Sequence, residues 1–232
     1  MSQFYLFGFQ HILSLIVTFS LALTNQKIRL WKISKQKKLA VILTWFLLSF
    51  YPIYQFYYIF VVKNWQIQTH LQLHISNFII LFLALALLIK NRILFVLAFF
   101  WALSGGFLSV LFPDLKDGFP TTNFIFFWVS HSILLFVVFF LKNYRSEFQI
   151  VYKDVWIAFA AMIVYILIMF PVNQILQANY GYLIQKPPAL DFLDNFGFTT
   201  SPSYLLPLLA ITLLVFHLTF CIAIVLPKKF LK

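Results

Sequence analysis

His11, His74, Ser76, Asn77, Asp114, His131 and Asn173 are the residues of this chain best suited to chemistry, and each lies in or beside a long apolar run. A polar group inside such a run is costly to hold in hydrocarbon, so it is the first place to look for function. Two chemistries fit the set. One is a nucleophile with a base: the Ser76 hydroxyl, with His131 or His74 accepting its proton. The other is a metal site, with His70 and His74 at i, i+4 on one helical face and His11 and His131 converging on them, since neutral imidazoles suit zinc. Asp114 is the one carboxylate placed to complete such a site. The first reading is preferred, with Ser76, His131 and His74 as catalytic residues, His11, Asn77, Asp114 and Asn173 as substrate-binding residues, and no metal or other cofactor.

One geometric condition attaches to this reading. At about 100° per residue, His74 and Ser76 point about 200° apart on a regular helix. Both face one cavity only if the helix begins after His74 or is distorted there. Asn77 is the residue that shares the face of His74. Each candidate also has a plainer role. A lone helical histidine is often just hydrogen-bonded structure. Asn173 is placed to satisfy the carbonyl that Pro171 frees. Asp114, after Pro113, suits a water-exposed loop, and His217 reads as structural.

The elements that must position these groups are membrane helices. Seven apolar stretches run Phe4–Thr24, Ala40–Val62, Leu71–Ile89, Ile93–Phe112, Phe124–Leu141, Val155–Gln177 and Tyr204–Leu226. Each has the length, about 18 to 24 residues, that crosses ~30 Å of hydrocarbon as a helix. None has Asp, Glu, Lys or Arg in its middle. Fourteen of the 17 basic residues fall on alternate loops: Thr24–Ala40, the turn at Lys90 and Arg92, the loop with Lys142, Arg145 and Lys153, and the tail with Lys228, Lys229 and Lys232. The other side holds Lys63, Lys116 and Lys186. This positive-inside bias predicts an all-α, seven-helix transmembrane protein with its N-terminus out and its C-terminus in, as one domain over residues 1–232.

That topology puts His11, His74, Asn77, Asp114, His131 and Asn173 in the same outer third, on five different helices. A polar pocket opening toward the outer leaflet follows. The net charge of +11 is accounted for by the cytoplasmic loops and an anionic inner leaflet, so the partners expected are membrane lipids and no nucleic acid.

Smaller features fit the same picture. The first run lacks a basic n-region and a cleavage site, so it is a spanning helix and no signal peptide. The single Cys221 excludes a disulfide within the chain and suggests a buried, inert thiol. Tyr51, Tyr54, Phe56, Tyr57, Tyr58 and Trp65 suit an interfacial belt. Gly105-Gly106 suits close helix packing. Phe192–Phe196 suits a short helix lying at the outer surface.

The combination Leu71-Gln-Leu-His-Ile-Ser-Asn77, Trp101-Ala-Leu-Ser-Gly-Gly106, Leu111-Phe-Pro-Asp114, Ser130-His131, Pro171-Val-Asn173, Asn179-Tyr180 and Lys186-Pro187 resembles the bacterial YwaF-type integral membrane proteins over nearly the whole chain. That family is similar to a vertebrate transmembrane protein described as a cysteine-dependent phospholipid acyltransferase. The resemblance implies acyl transfer on lipids, with a pattern Leu-Pro-Leu-His-Leu-Cys in the third helix. Ser76 stands where that pattern has cysteine, Gln72 where it has proline, and His131 matches the fifth-helix histidine. A serine needs a base to become nucleophilic, whereas a cysteine is partly thiolate unaided.

Other functions fit less well. A microbial retinal protein needs a Schiff-base lysine in the last helix, and Tyr204–Leu226 has none. An ion-coupled pump usually carries a carboxylate within a span. The alternatives left to acyl transfer are transport or binding of a small neutral or lipid-like molecule, and a subunit role in a membrane complex.

Overall fold

The structure, a computed structural model, describes residues 3–225. The tail lysines Lys228, Lys229 and Lys232 lie outside the described residues. The chain is all-helical among those residues, with an isolated antiparallel bridge between Gln3 and Asp117 as its only extended pairing.

The principal helices, labelled in chain order, are α1 Phe9–Leu23, α2 Ile33–Val61, α3 Ile75–Leu88, α4 Arg92–Leu111, α5 Thr122–Tyr144, α6 Lys153–Leu176 and α7 Leu205–Val225. Five of them, α2, α4, α5, α6 and α7, are long and apolar enough to cross a membrane. The other two fall short of their apolar runs. α1 has 15 residues and α3 has 14, about 22 and 21 Å of helix at 1.5 Å per residue. The sequence reading overextended both at their starts. Residues 4–8 turn back before α1, with the Phe4 N–H bonded to the Lys116 carbonyl. Gln72, at φ 58°, breaks the chain before α3. α2 errs the other way and begins seven residues before Ala40, taking Lys35, Lys37 and Lys38 into its first turns.

The chain divides into two compact units. The first takes the described residues through Leu47 with Ile79–Gln149. Its core is aromatic and aliphatic: Phe95, Phe99, Leu134, Val137 and Phe140 are buried. α1 packs along α5, and the Thr18 and Ser132 hydroxyls bond across that contact at 2.6 Å. α4 winds as a π-helix over Ala102–Gly106, next to α5. A Cβ on Gly106 would lie 2.9 Å from Leu134 Cδ1, so Gly106 does permit the close approach expected of it, while Gly105 faces open space.

The second unit takes Leu48–Phe78 with the described residues from Ile150 onward. α6 and α7 pack on each other, and the segment between them folds into 3-10 turns at Tyr180–Tyr182 and Pro188–Phe196. The second turn covers the expected Phe192–Phe196 helix and is braced by Lys186 to Asp194 at 2.7 Å. Cys221 corrects an expectation: it is exposed. It lies on the stripe of α7 with exposed Leu214, Leu218 and Ile222, opposite the buried Phe216 and Thr219.

Candidate functional site

In the first unit, His11 is fully buried and both its ring nitrogens are committed. The Phe7 N–H donates to Nδ1 at 2.9 Å, so Nδ1 carries the lone pair. Nε2 therefore carries the proton and donates to the Val110 carbonyl at 2.9 Å. His11 thus ties the turn before α1 to the end of α4.

His131 is also buried, on α5. Its Nδ1 lies 2.9 Å from the Phe127 carbonyl, and the Ser130 hydroxyl donates to that same oxygen. A carbonyl only accepts, so Nδ1 holds the proton of the neutral ring and Nε2 holds the lone pair. The ring stacks on Phe127 at 4.1 Å, which fixes its plane. Asp114 is exposed in the loop after α4, in accord with its plainer role.

In the second unit, α3 begins at Ile75, immediately after His74. The first helical bonds run from the Asn77 and Phe78 N–H groups to the His74 carbonyl. His74 thus sits outside the helix, which meets the geometric condition stated above and releases it from the 200° separation. Ser76 and Asn77 occupy the first turn, half-buried. The Ser76 hydroxyl makes no hydrogen bond among the described residues.

The Gly181 N–H donates to His74 Nδ1 at 3.3 Å, so in the neutral ring the proton lies on Nε2. Tyr180 and Tyr182 flank the ring at 5.2 and 5.7 Å. Asn173, buried on α6, does not serve the Pro171 kink. Its carboxamide clasps Tyr180, donating to the carbonyl at 2.8 Å and accepting from the N–H at 2.7 Å. The Tyr180 hydroxyl in turn donates to the Ile67 carbonyl and accepts from the Leu71 N–H. Burial pushes the Tyr180 phenol above its ordinary pKa. Tyr165 donates to the Leu73 carbonyl at 2.9 Å. None of these loop partners was legible in the sequence, apart from the Asn179-Tyr180 pair in the resemblance.

His70 ends the short helix Ile67–His70, and its Nδ1 accepts from the Gln66 N–H at 2.9 Å. Burial lowers its pKa. His217 bonds the Tyr152 hydroxyl at 3.1 Å, a structural contact as expected. Among the described residues, no three His, Cys, Asp or Glu side chains group as a metal site requires.

The sequence matches the model of the TMEM164 family over residues 6–225. No curated protein and no solved structure matches it.

Proposed function

This chain belongs to the TMEM164 family of membrane proteins, and from that premise we propose that it modifies lipids by acyl transfer, as one domain of seven spans with its N-terminus outside and its C-terminus in the cytoplasm of the cell membrane. The observation that supports the reading is the start of α3 at Ile75, which leaves His74 outside the helix and sets the Ser76 hydroxyl in its first turn.

In this reading Ser76 Oγ attacks the acyl carbonyl and a histidine base takes its proton, the role the sequence assigns to His131 with His74 as its companion. The tetrahedral oxyanion is stabilised by the N-terminal end of α3. Collapse expels the lysolipid oxygen, which takes the proton back from His131, and leaves an acyl-serine. An acceptor hydroxyl then attacks that ester by the reverse proton path. Asn77 and Asp114 are assigned to the substrate head group. His11 contributes by holding the turn before α1 to α4, and Asn173 by holding Tyr180.

The test is lipid mass spectrometry on membranes carrying each variant, with a serine-directed probe. Ser76→Ala should abolish acyl-enzyme. Ser76→Cys should keep or raise turnover, because a thiolate needs less help from a base. Full turnover in Ser76→Ala overturns the nucleophile role, and no lipid change in any variant points to transport, binding or complex assembly instead. The topology is tested by cysteine labelling at Lys116 and Lys186, where cytoplasmic reactivity rejects the seven-span arrangement.

A further inference from the structure

Trp128 is 6% exposed, and its indole Nε1–H has no acceptor among the described residues. A buried donor left unpaired is expensive, and native proteins rarely keep one without a purpose. The rings around it offer no acceptor. They are His11 at 5.7 Å, Phe124 at 6.2 Å and Phe127 at 5.4 Å. The two His11 nitrogens are already committed to Phe7 and Val110. Trp128 also precedes His131 by three residues on α5, so the two side chains share one helical face.

We propose that the Trp128 indole N–H binds the carbonyl oxygen of a fatty-acyl group beside His131. The site specifies its ligand by exclusion. The unpaired group is a donor, so the ligand must present an acceptor. The rings that flank Trp128 supply no cation, since both His11 nitrogens are committed to Phe7 and Val110, so an anionic oxygen would be desolvated without compensation. A water needs two to four polar partners, and these rings supply one. A neutral carbonyl on an apolar chain satisfies the donor and fills the aromatic wall together. Ile125 and Val129, beside Trp128 on the same helix, are 42% and 41% exposed, so hydrocarbon lies within a side chain's reach. This deepens the acyl-transfer reading and rests on it for the meaning of the carbonyl, but binding itself does not depend on turnover.

The experiment is a ¹H–¹⁵N spectrum of the indole groups of the full chain in micelles of an ether-linked detergent. The chain has six tryptophans, and Trp128→Phe identifies the Trp128 signal by its loss. Titrants are an acyl phospholipid, its dialkyl ether analogue without carbonyls, and a free fatty acid. The expected result is a downfield shift of that one signal with the acyl phospholipid and none with the ether. A shift with the fatty acid alone overturns the proposal, because the ligand would then be an anion. An equal response to ester and ether, no response to any titrant, or a signal already at a hydrogen-bonded position without lipid overturns the proposal. Trp128→Phe should weaken acyl-lipid binding about fivefold, the worth of one hydrogen bond. Trp128 shifting while Ser76→Ala retains turnover would leave the binding site and remove the acyl-serine. The reverse pattern would leave the acyl-serine and remove Trp128.

Discussion

The first unit holds its polar groups on helices, and the second holds them with a loop. His131 is fixed by Phe127, four residues back on its own helix, and Thr18 by Ser132 on the helix it packs against. His74 and Asn173 are fixed instead by Gly181 and Tyr180, which lie in the irregular segment after α6. A helix-borne bond has few ways to fail, because the i−4 carbonyl is always one turn away. A loop-borne bond exists only while the loop keeps its shape. The difference predicts that a variant at His131 changes chemistry at constant stability, while variants at Asn173 and Gly181 change stability first.

The largest effect tests that division directly. His131→Ala should lower acyl turnover by about 10²–10⁴, the range of general-base catalysis. Its thermal midpoint in detergent should stay close to that of the parent, since the ring bonds the Phe127 carbonyl one turn back on its own helix. A midpoint lost along with activity would make His131 a structural group like His11.

Asn173→Ala should be the most destabilising change in the second unit. It strips the N–H and the carbonyl of a Tyr180 that is fully buried, leaving two polar groups without partners. At about 1–3 kcal/mol for each such group, a loss of about 2–6 kcal/mol is expected by denaturant or thermal unfolding. Asn173→Asp keeps the acceptor and loses the donor, so it should be no better than intermediate. A loss below about 1 kcal/mol would mean that the loop does not depend on this clasp.

Gly181→Ala follows. Gly181 has φ 70°, and an added Cβ would collide with the Tyr165 hydroxyl. The left-handed conformation costs a residue with a Cβ about 1–2 kcal/mol, and the contact adds to it. Tyr165→Phe in the same chain removes the hydroxyl and should recover part of the steric share only, since the ring edge stays 2.9 Å from the added Cβ. Additive losses in the double variant would show that the two residues do not meet.

The legibility of this molecule follows the same division. The long helices were visible because hydrocarbon demands unbroken apolar runs, and five of them are long enough to cross a membrane. His11, Ser76, His131 and Asn173 stood out because they interrupt such runs. Their partners did not stand out. Asn173 next to Pro171 reads locally as kink chemistry, yet its true partner is seven residues away, around a left-handed turn at Gln177 and Gly181. Trp128 was invisible for a different reason: an indole in an apolar run looks like packing, and only the geometry shows its N–H unpaired. The π-helical turn at Ala102–Gly106 carries no signal beyond its two glycines.

The smallest expected effect bears on the start of α3. Gln72 holds φ 58°, a conformation closed to proline, whose ring fixes φ near −65°. The Gln72 side chain also bonds Tyr54, so simple truncation mixes two effects. Comparing Gln72→Gly with Gln72→Ala separates them, because both lose the bond and only alanine retains the strain. Gly should be the more stable by about 1 kcal/mol, less the extra entropy of its unfolded chain. Gln72→Pro should disturb the positions of His74 and Ser76 and lower turnover more than either. Equal stability for Gly and Ala would mean that residue 72 is not left-handed, and proline would then fit here without strain.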